Sequence, residues 1–189
     1  MYLKSLIFLI AFSLLTSCGY QWGNRNEALP GRYREIAVPI FRNKTQEVGS
    51  EVYFTNAMIE EIVRSNNSIT SQDKAEIVLE GEVSRIEVRG EGLANVSSLS
   101  TPQVAVDIEL VSSYKVLVDV VIRVRKKSDQ KVLFNQHFTG ERSFASAQIG
   151  KADLNSANPN YNQSALHENL RLISQDLMSK AYNLMTESY

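Results

Sequence analysis

The run Tyr114-Lys115-Val116-Leu117-Val118-Asp119-Val120-Val121-Ile122-Arg123-Val124-Arg125 alternates cleanly. Tyr114, Val116, Val118, Val120, Ile122 and Val124 fall on one face of a strand, and Lys115, Asp119, Arg123 and Arg125 on the other. One face of a sheet is therefore buried and the other is charged. Upstream, Val104, Val106, Ile108 and Leu110 alternate too, so the strand is expected to begin earlier and bend at Ser112-Ser113. Downstream, Lys126 to Lys131 reads as a hairpin turn and Val132 to Phe144 as its antiparallel return.

Working toward the N-terminus, Ala75 to Arg89 is a second long strand. Ile77, Leu79, Gly81 and Val83 share a face, then the apolar set shifts to Ile86 and Val88, which predicts a bulge near Ser84-Arg85. Before it, Val48 to Ser65 changes to helical period, with Phe54, Met58 and Ile62 in a stripe, Ile59 and Val63 beside it, and Asn66-Asn67 as the stop. Thr45 is the expected cap, with Glu47 in the first turn. Glu35 to Phe41 is a short strand in which Ile36, Val38 and Ile40 alternate and Pro39 marks an edge or an end. A strand, a helix and a strand imply a parallel pair through a right-handed crossover.

At the other end, Tyr161 to Ser188 is the longest helix, its stripe running through Leu166, Leu170, Ile173, Leu177, Ala181 and Leu184. Gly90 to Pro102, rich in Gly and Ser, and Ala145 to Asn160, long and polar, are expected as loops. The order β-α-β-β-β-α gives an α+β two-layer sandwich, with two helices packed on one face of a four-stranded mixed β-sheet.

The first residues carry an address. Lys4 precedes the apolar run Leu6–Leu15, and Leu15-Thr16-Ser17-Cys18 follows, the order of charge, apolar core and small residues of an export signal. The run is short for a membrane span, which wants ~20 residues. Leu-Thr-Ser-Cys looks like a bacterial lipobox. On that resemblance residues 1–17 are removed and Cys18, the only cysteine, becomes a lipidated N-terminus; Gly19 in place of Asp implies forwarding to the outer membrane. Residues 18–34 form a tether and 35–189 a single domain. A lone Cys could also be an ordinary residue behind a cleaved signal, although it can make no disulfide within the chain.

The formal net charge of −1 lacks the basic excess of a nucleic-acid binder. No metal-ligand spacing links His137 and His167, and no nucleophile elbow is present, so neither a catalytic residue, a metal nor a cofactor is expected. The basic residues are the binding candidates: Arg85 and Arg89 at the end of the second strand, Arg123, Arg125, Lys126, Lys127 and Lys131 around the hairpin. Such groups pair well with the phosphates of a lipid. They equally suit a solvated strand face with a charged turn that blocks edge pairing.

Cys18-Gly19-Tyr20, Leu29-Pro30, Ile36-Ala37-Val38-Pro39-Ile40-Phe41, Asn43-Lys44-Thr45, the Tyr114–Val120 strand and the long terminal helix occur in an order that resembles the LptE family of lipopolysaccharide-assembly lipoproteins. The resemblance implies a non-enzymatic outer-membrane protein of a Gram-negative bacterium. It would face the periplasm on a lipid anchor, plug an LptD-type β-barrel and help pass lipopolysaccharide to the outer leaflet. It also makes Lys151, in the loop after the fourth strand, a lipopolysaccharide contact. Another outer-membrane lipoprotein, such as a peptidoglycan-synthase activator or a secretin pilotin, is the rival reading.

Overall fold

Alternation at period two forms a strand wherever one face can be covered, and this chain covers its apolar face with helices. The computed structural model describes residues 28–94, 110–146 and 159–187. They form β1 (Glu35–Ala37), β2 (Arg42–Asn43), α1 (Ser50–Arg64), β3 (Ser68–Ile69), β4 (Ile77–Ala94), β5 (Leu110–Lys126), β6 (Val132–Ala145) and α2 (Pro159–Glu187). One mixed sheet runs β3-β1-β4-β5-β6, with β2 also paired to β4. The short strands join in parallel, and β4, β5 and β6 antiparallel.

The expected α+β class holds, with the sheet six-stranded rather than four-stranded. Pro39 has no N–H to offer a ladder, so β1 stops at Ala37 and pairing resumes only at Arg42. Ile40, expected inside with Ile36, is instead 66% exposed. Phe41 turns inward and its ring lies on Gly81. The second addition, β3, pairs with β1 as the chain leaves α1.

Val116, Val118, Val120, Ile122 and Val124 are fully buried, and so are Ile77, Leu79 and Val83 of β4. The expected bulge is present: the β4–β5 register shifts between Val83 and Arg85, so Ser84 is the extra residue. Its hydroxyl donates to the Asp119 carbonyl at 3.1 Å. β4 also continues through Gly90 to Ala94, where a loop was expected, because each of these residues except Gly92 has a partner on β5. Most of both expected loops lies outside the described residues.

Helix α1 presents Phe54, Met58 and Ile62 to the sheet, and α2 presents Leu166, Leu170, Ile173, Leu177 and Ala181, all in one core. Each such side chain removed from water contributes roughly 1.5–3 kcal/mol. The α2 stripe ends on Tyr182 and Met185 while Leu184 is half-exposed, since a 3.6-residue turn carries a straight helix past a strict three-four step. The start of α1 differs from expectation. Gly49, at φ 86°, is its N-cap, and Thr45 instead folds onto Asn43, donating to its Oδ1 through N and Oγ1 at 2.8 Å each. The end of α1 is pinned by a buried hydrogen bond from Asn67 Nδ2 to the Tyr182 hydroxyl at 2.8 Å. Residues 28–34 also pack down: Leu29 is fully buried and bridges to Tyr33.

Candidate functional site

The face of the sheet turned away from the helices is built from the alternate residues of β4, β5 and β6. On β4 these are Arg85, Glu87, Arg89 and Glu91, charges of alternating sign at every second residue. Side chains two apart on a strand share a face, so Arg89 Nε donates to Glu87 at 2.6 Å and Arg85 reaches the same carboxylate at 3.4 Å. Hydrogen bonds from Arg89 hold the Glu87 carboxyl below its usual range. Across to β5, Lys115 pairs with Glu91 at 3.2 Å and with Glu141 of β6 at 3.6 Å. Arg125 donates to Glu80 at 2.9 Å, and Lys44 meets Glu82 at 2.8 Å. Arg89 and Lys115 stand directly opposite each other, and each is neutralised by its own glutamate.

Asp119 is the centre of this lattice. It is 8% exposed, accepts from Arg85 Nε at 2.7 Å and from the Thr139 hydroxyl at 2.7 Å, and lies 3.7 Å from His137 Nε2. Burial pushes its carboxyl up, but the Thr139 hydroxyl and the Arg85 guanidinium outweigh burial and hold it below the usual carboxylate range. Exposed pairs of this kind contribute about 0–1 kcal/mol each. Their joint effect is a polar wall whose charges are already answered.

That answers the sequence reading of the basic cluster by dividing it. Arg85, Arg89 and Arg125 belong to the lattice. Arg123 stands on the same face with no ion pair among the described residues, beside a cleft of about 330 Å³ lined also by Ile40, Arg42, Glu80 and Glu82. Lys126, Lys127 and Lys131 lie past the end of the face, around the β5–β6 turn. Lys127 Nζ there donates to the carbonyls of Gln72 and Asp73 at 2.9 and 2.8 Å. Cys18 and Lys151 lie outside the described residues.

Sequence reasoning missed Lys44, Thr139 and the acidic partners, although the sign alternation at 85, 87, 89 and 91 was a usable signal for two of them. It also missed Arg32, Arg34 and Lys74, which only the topology brings near the turn. His137 and His167 lie on opposite sides of the sheet: His137 beside Asp119, and His167 on α2, 3.4 Å from the Tyr53 hydroxyl. Among the described residues no group of His, Cys, Asp and Glu could hold a metal ion, and no helix is long and apolar enough to cross a membrane.

A family model described as LptE, lipopolysaccharide-assembly, matches residues 33–184. No curated protein sequence matches the chain. Among solved structures, a Xanthomonas campestris protein superposes with a TM-score of 0.53 at 11% identity, covering 85% of this chain and 88% of its own. Rare lipoprotein B from Shewanella oneidensis gives 0.43 at 13% identity, covering 82% and 99%. A minor lipoprotein from Acinetobacter baumannii gives 0.46 at 10%, covering 82% and 92%. The Xanthomonas likeness supports the fold alone.

Proposed function

We propose a plug-and-assembly role for this chain, which belongs to the LptE family of lipopolysaccharide-assembly proteins. In this reading Cys18 carries the lipid that holds the protein at the outer membrane, and the domain fills the lumen of an LptD-type β-barrel. There it assists the passage of lipopolysaccharide to the outer leaflet.

The observation that carries the reading is the charge lattice on the open face of the sheet. A barrel lumen is polar and wet, and a plug must present a polar wall to it without bringing a large net charge. Arg85, Glu87, Arg89, Glu91, Lys115 and Asp119 answer one another in this way. A direct contact with lipopolysaccharide phosphates would fall to cations outside the lattice. Arg123 and Lys151 are the two we assign to it.

The full-length protein, extracted from native membranes in mild detergent and captured through a C-terminal tag, is expected to bring down one large β-barrel protein. A peptidoglycan synthase or a secretin in its place would overturn the assignment. Cys18→Ser is expected to move the protein from the membrane fraction to the soluble periplasmic fraction. Retention at the membrane by a processed but unacylated chain would sink the anchor.

A further inference from the structure

The sheet ends on one side in a short strand and on the other in a long one. β3 has two residues. β6 has 14, and among the described residues no strand lies beyond it. Long edges are ordinarily blunted by proline, by lysine or by a bulge that twists them away. From Val132 to Ala145 there is neither proline nor lysine. The register with β5 shifts only between Val124 and Arg125, which makes Leu133 the extra residue and leaves the rest of β6 regular.

The hairpin decides which backbone groups this edge offers. Alternate residues of an antiparallel strand turn their N–H and C=O to opposite sides. Lys126 N donates to the Lys131 carbonyl, so the even-numbered residues of β5 address β6. The Asp119 carbonyl, in the odd set, faces β4, where it accepts from Ser84. Phe134, Gln136, Phe138, Gly140 and Arg142 pair with the even set, and their backbone groups turn inward. Asn135, His137, Thr139, Glu141 and Ser143 therefore each point an N–H and a C=O out of the sheet. Such a row, repeating at about 6.8 Å, is a template for one extended chain.

The connection that follows β6 is too short to fill the template. Tyr182 of α2 is bonded to Asn67, beside β3, β1 and the start of β4, so that end of α2 lies level with the β5–β6 turn. Pro159 is roughly 35 Å back along the helix, at about 1.5 Å per residue, and so lies toward the end of the sheet where β6 stops. From Ser146 to Pro159 the chain spans at most roughly 43–47 Å. Covering the edge down to Asn135 and returning would take about 37 Å in each direction.

The two faces of the edge set the chemistry of an occupant. On the open face Thr139 donates to Asp119 and Glu141 meets Lys115, so a neighbouring strand continues the polar lattice. On the other face Phe138 is half-buried against the core, and an apolar side chain beside it would complete its cover. A domain that fills a lumen alone has no second copy beside it, and a closed barrel wall has no free edge to offer. The remaining occupant is a stretch of the barrel chain that leaves the wall.

We propose that the free edge of β6 takes an extended segment of the barrel protein as a further strand of this sheet, its residues alternating polar toward the charge lattice and apolar toward α2. The proposal rests on the plug reading and adds the means by which the plug is held. Main-chain hydrogen bonds supply the attachment, and the alternate side chains its selectivity.

The test uses the full-length protein captured from native membranes through a C-terminal tag. A photoreactive phenylalanine analogue is placed at position 135 or 143 and the cross-linked peptides are mapped by mass spectrometry. Both positions are expected to join one barrel segment, at sites about eight residues apart, as paired strands require. The combined variant Asn135→Pro, Ser143→Pro removes two outward N–H groups and no bond to β5. It is expected to fold, since proline is tolerated on an edge, and to capture at least about tenfold less barrel.

Cross-links scattered over several barrel segments, or confined to a second copy or to residues 18–27 or 147–158 of this chain, overturn the pairing and leave the plug reading standing. So does undiminished capture by a proline variant whose far-ultraviolet circular dichroism matches the parent. Should that variant not fold, the spacing of the cross-links in the parent decides alone. A parent that captures no barrel overturns the plug reading, and the pairing with it.

Discussion

Gly81→Val is expected to lower the stability of the domain by about 3 kcal/mol, at the upper end of what overpacking a core costs. Gly81 sits in β4 on the helix-facing side, between Leu79 and Val83. A Cβ there would fall 2.2–2.4 Å from Cδ2, Cε2 and Cγ of Phe41, closer than carbon atoms approach. Phe41 cannot swing away freely. It is 2% exposed, and its backbone N–H is held by the buried Thr55 hydroxyl at 3.0 Å. Gly140→Ala is the matched comparison, because its Cβ would meet the ends of Ile173 and Leu177 at 3.0–3.1 Å, and aliphatic ends yield by tenths of an ångström. Urea denaturation of both variants decides the matter. A Gly81→Val midpoint no lower than that of Gly140→Ala would show that Phe41 does not depend on the bare backbone beneath it.

Asp119→Ala is expected to cost about 2 kcal/mol at pH 7, the scale of losing hydrogen bonds to a charged group and stranding their donors. Arg85 Nε and the Thr139 hydroxyl both lose their acceptor. The effect has a pH signature. The Asp119 carboxyl is held below its usual range, so its ionisation stabilises the folded state above the unfolded value of about 3.9, and that stability is lost as pH falls through the lower folded value. Parent and variant should therefore differ most at neutral pH and converge in strong acid. Urea midpoints measured at pH 7 and again below about pH 3 make the comparison. A gap that stays constant across that range would assign the loss to packing rather than to the carboxylate.

How much of this could be read from the chain depends on the reach of each interaction. The Tyr114–Arg125 strand, the Ser84 bulge and the two helical stripes are written in local periodicity, and all stand in the structure. The division of the first strand is not local. Pro39 marks where β1 must end, but pairing resumes at Arg42 because Phe41 finds Gly81, forty residues on. Helix α1 opens at Gly49 and not at Thr45, since the Thr45 hydroxyl and N–H are taken by Asn43. Strand β3 has two residues, too few for any pattern. The candidate site followed the same rule. The basic residues were visible in sequence, but their counter-ions Asp119, Glu80 and Glu141 come from neighbouring strands. Register decides that Arg85 is neutralised, while Lys126 and Lys131 meet no carboxylate among the described residues.

Ser84 has a meaning beyond that register shift. Val83 pairs with Val120 and Arg85 with Asp119, consecutive residues of β5, so Ser84 is the extra residue of β4 between two pairs. A bulge bends its strand and increases the local twist. In this sheet, shape and pairing are thus carried by different residues. Removing Ser84 would leave Ile86 toward the helices and Arg85, Glu87 and Arg89 toward the open face, and would take away the bend together with the hydrogen bond from the Ser84 hydroxyl to the Asp119 carbonyl. The curvature with which the polar wall meets its surroundings is a separate dial, turned by a single codon.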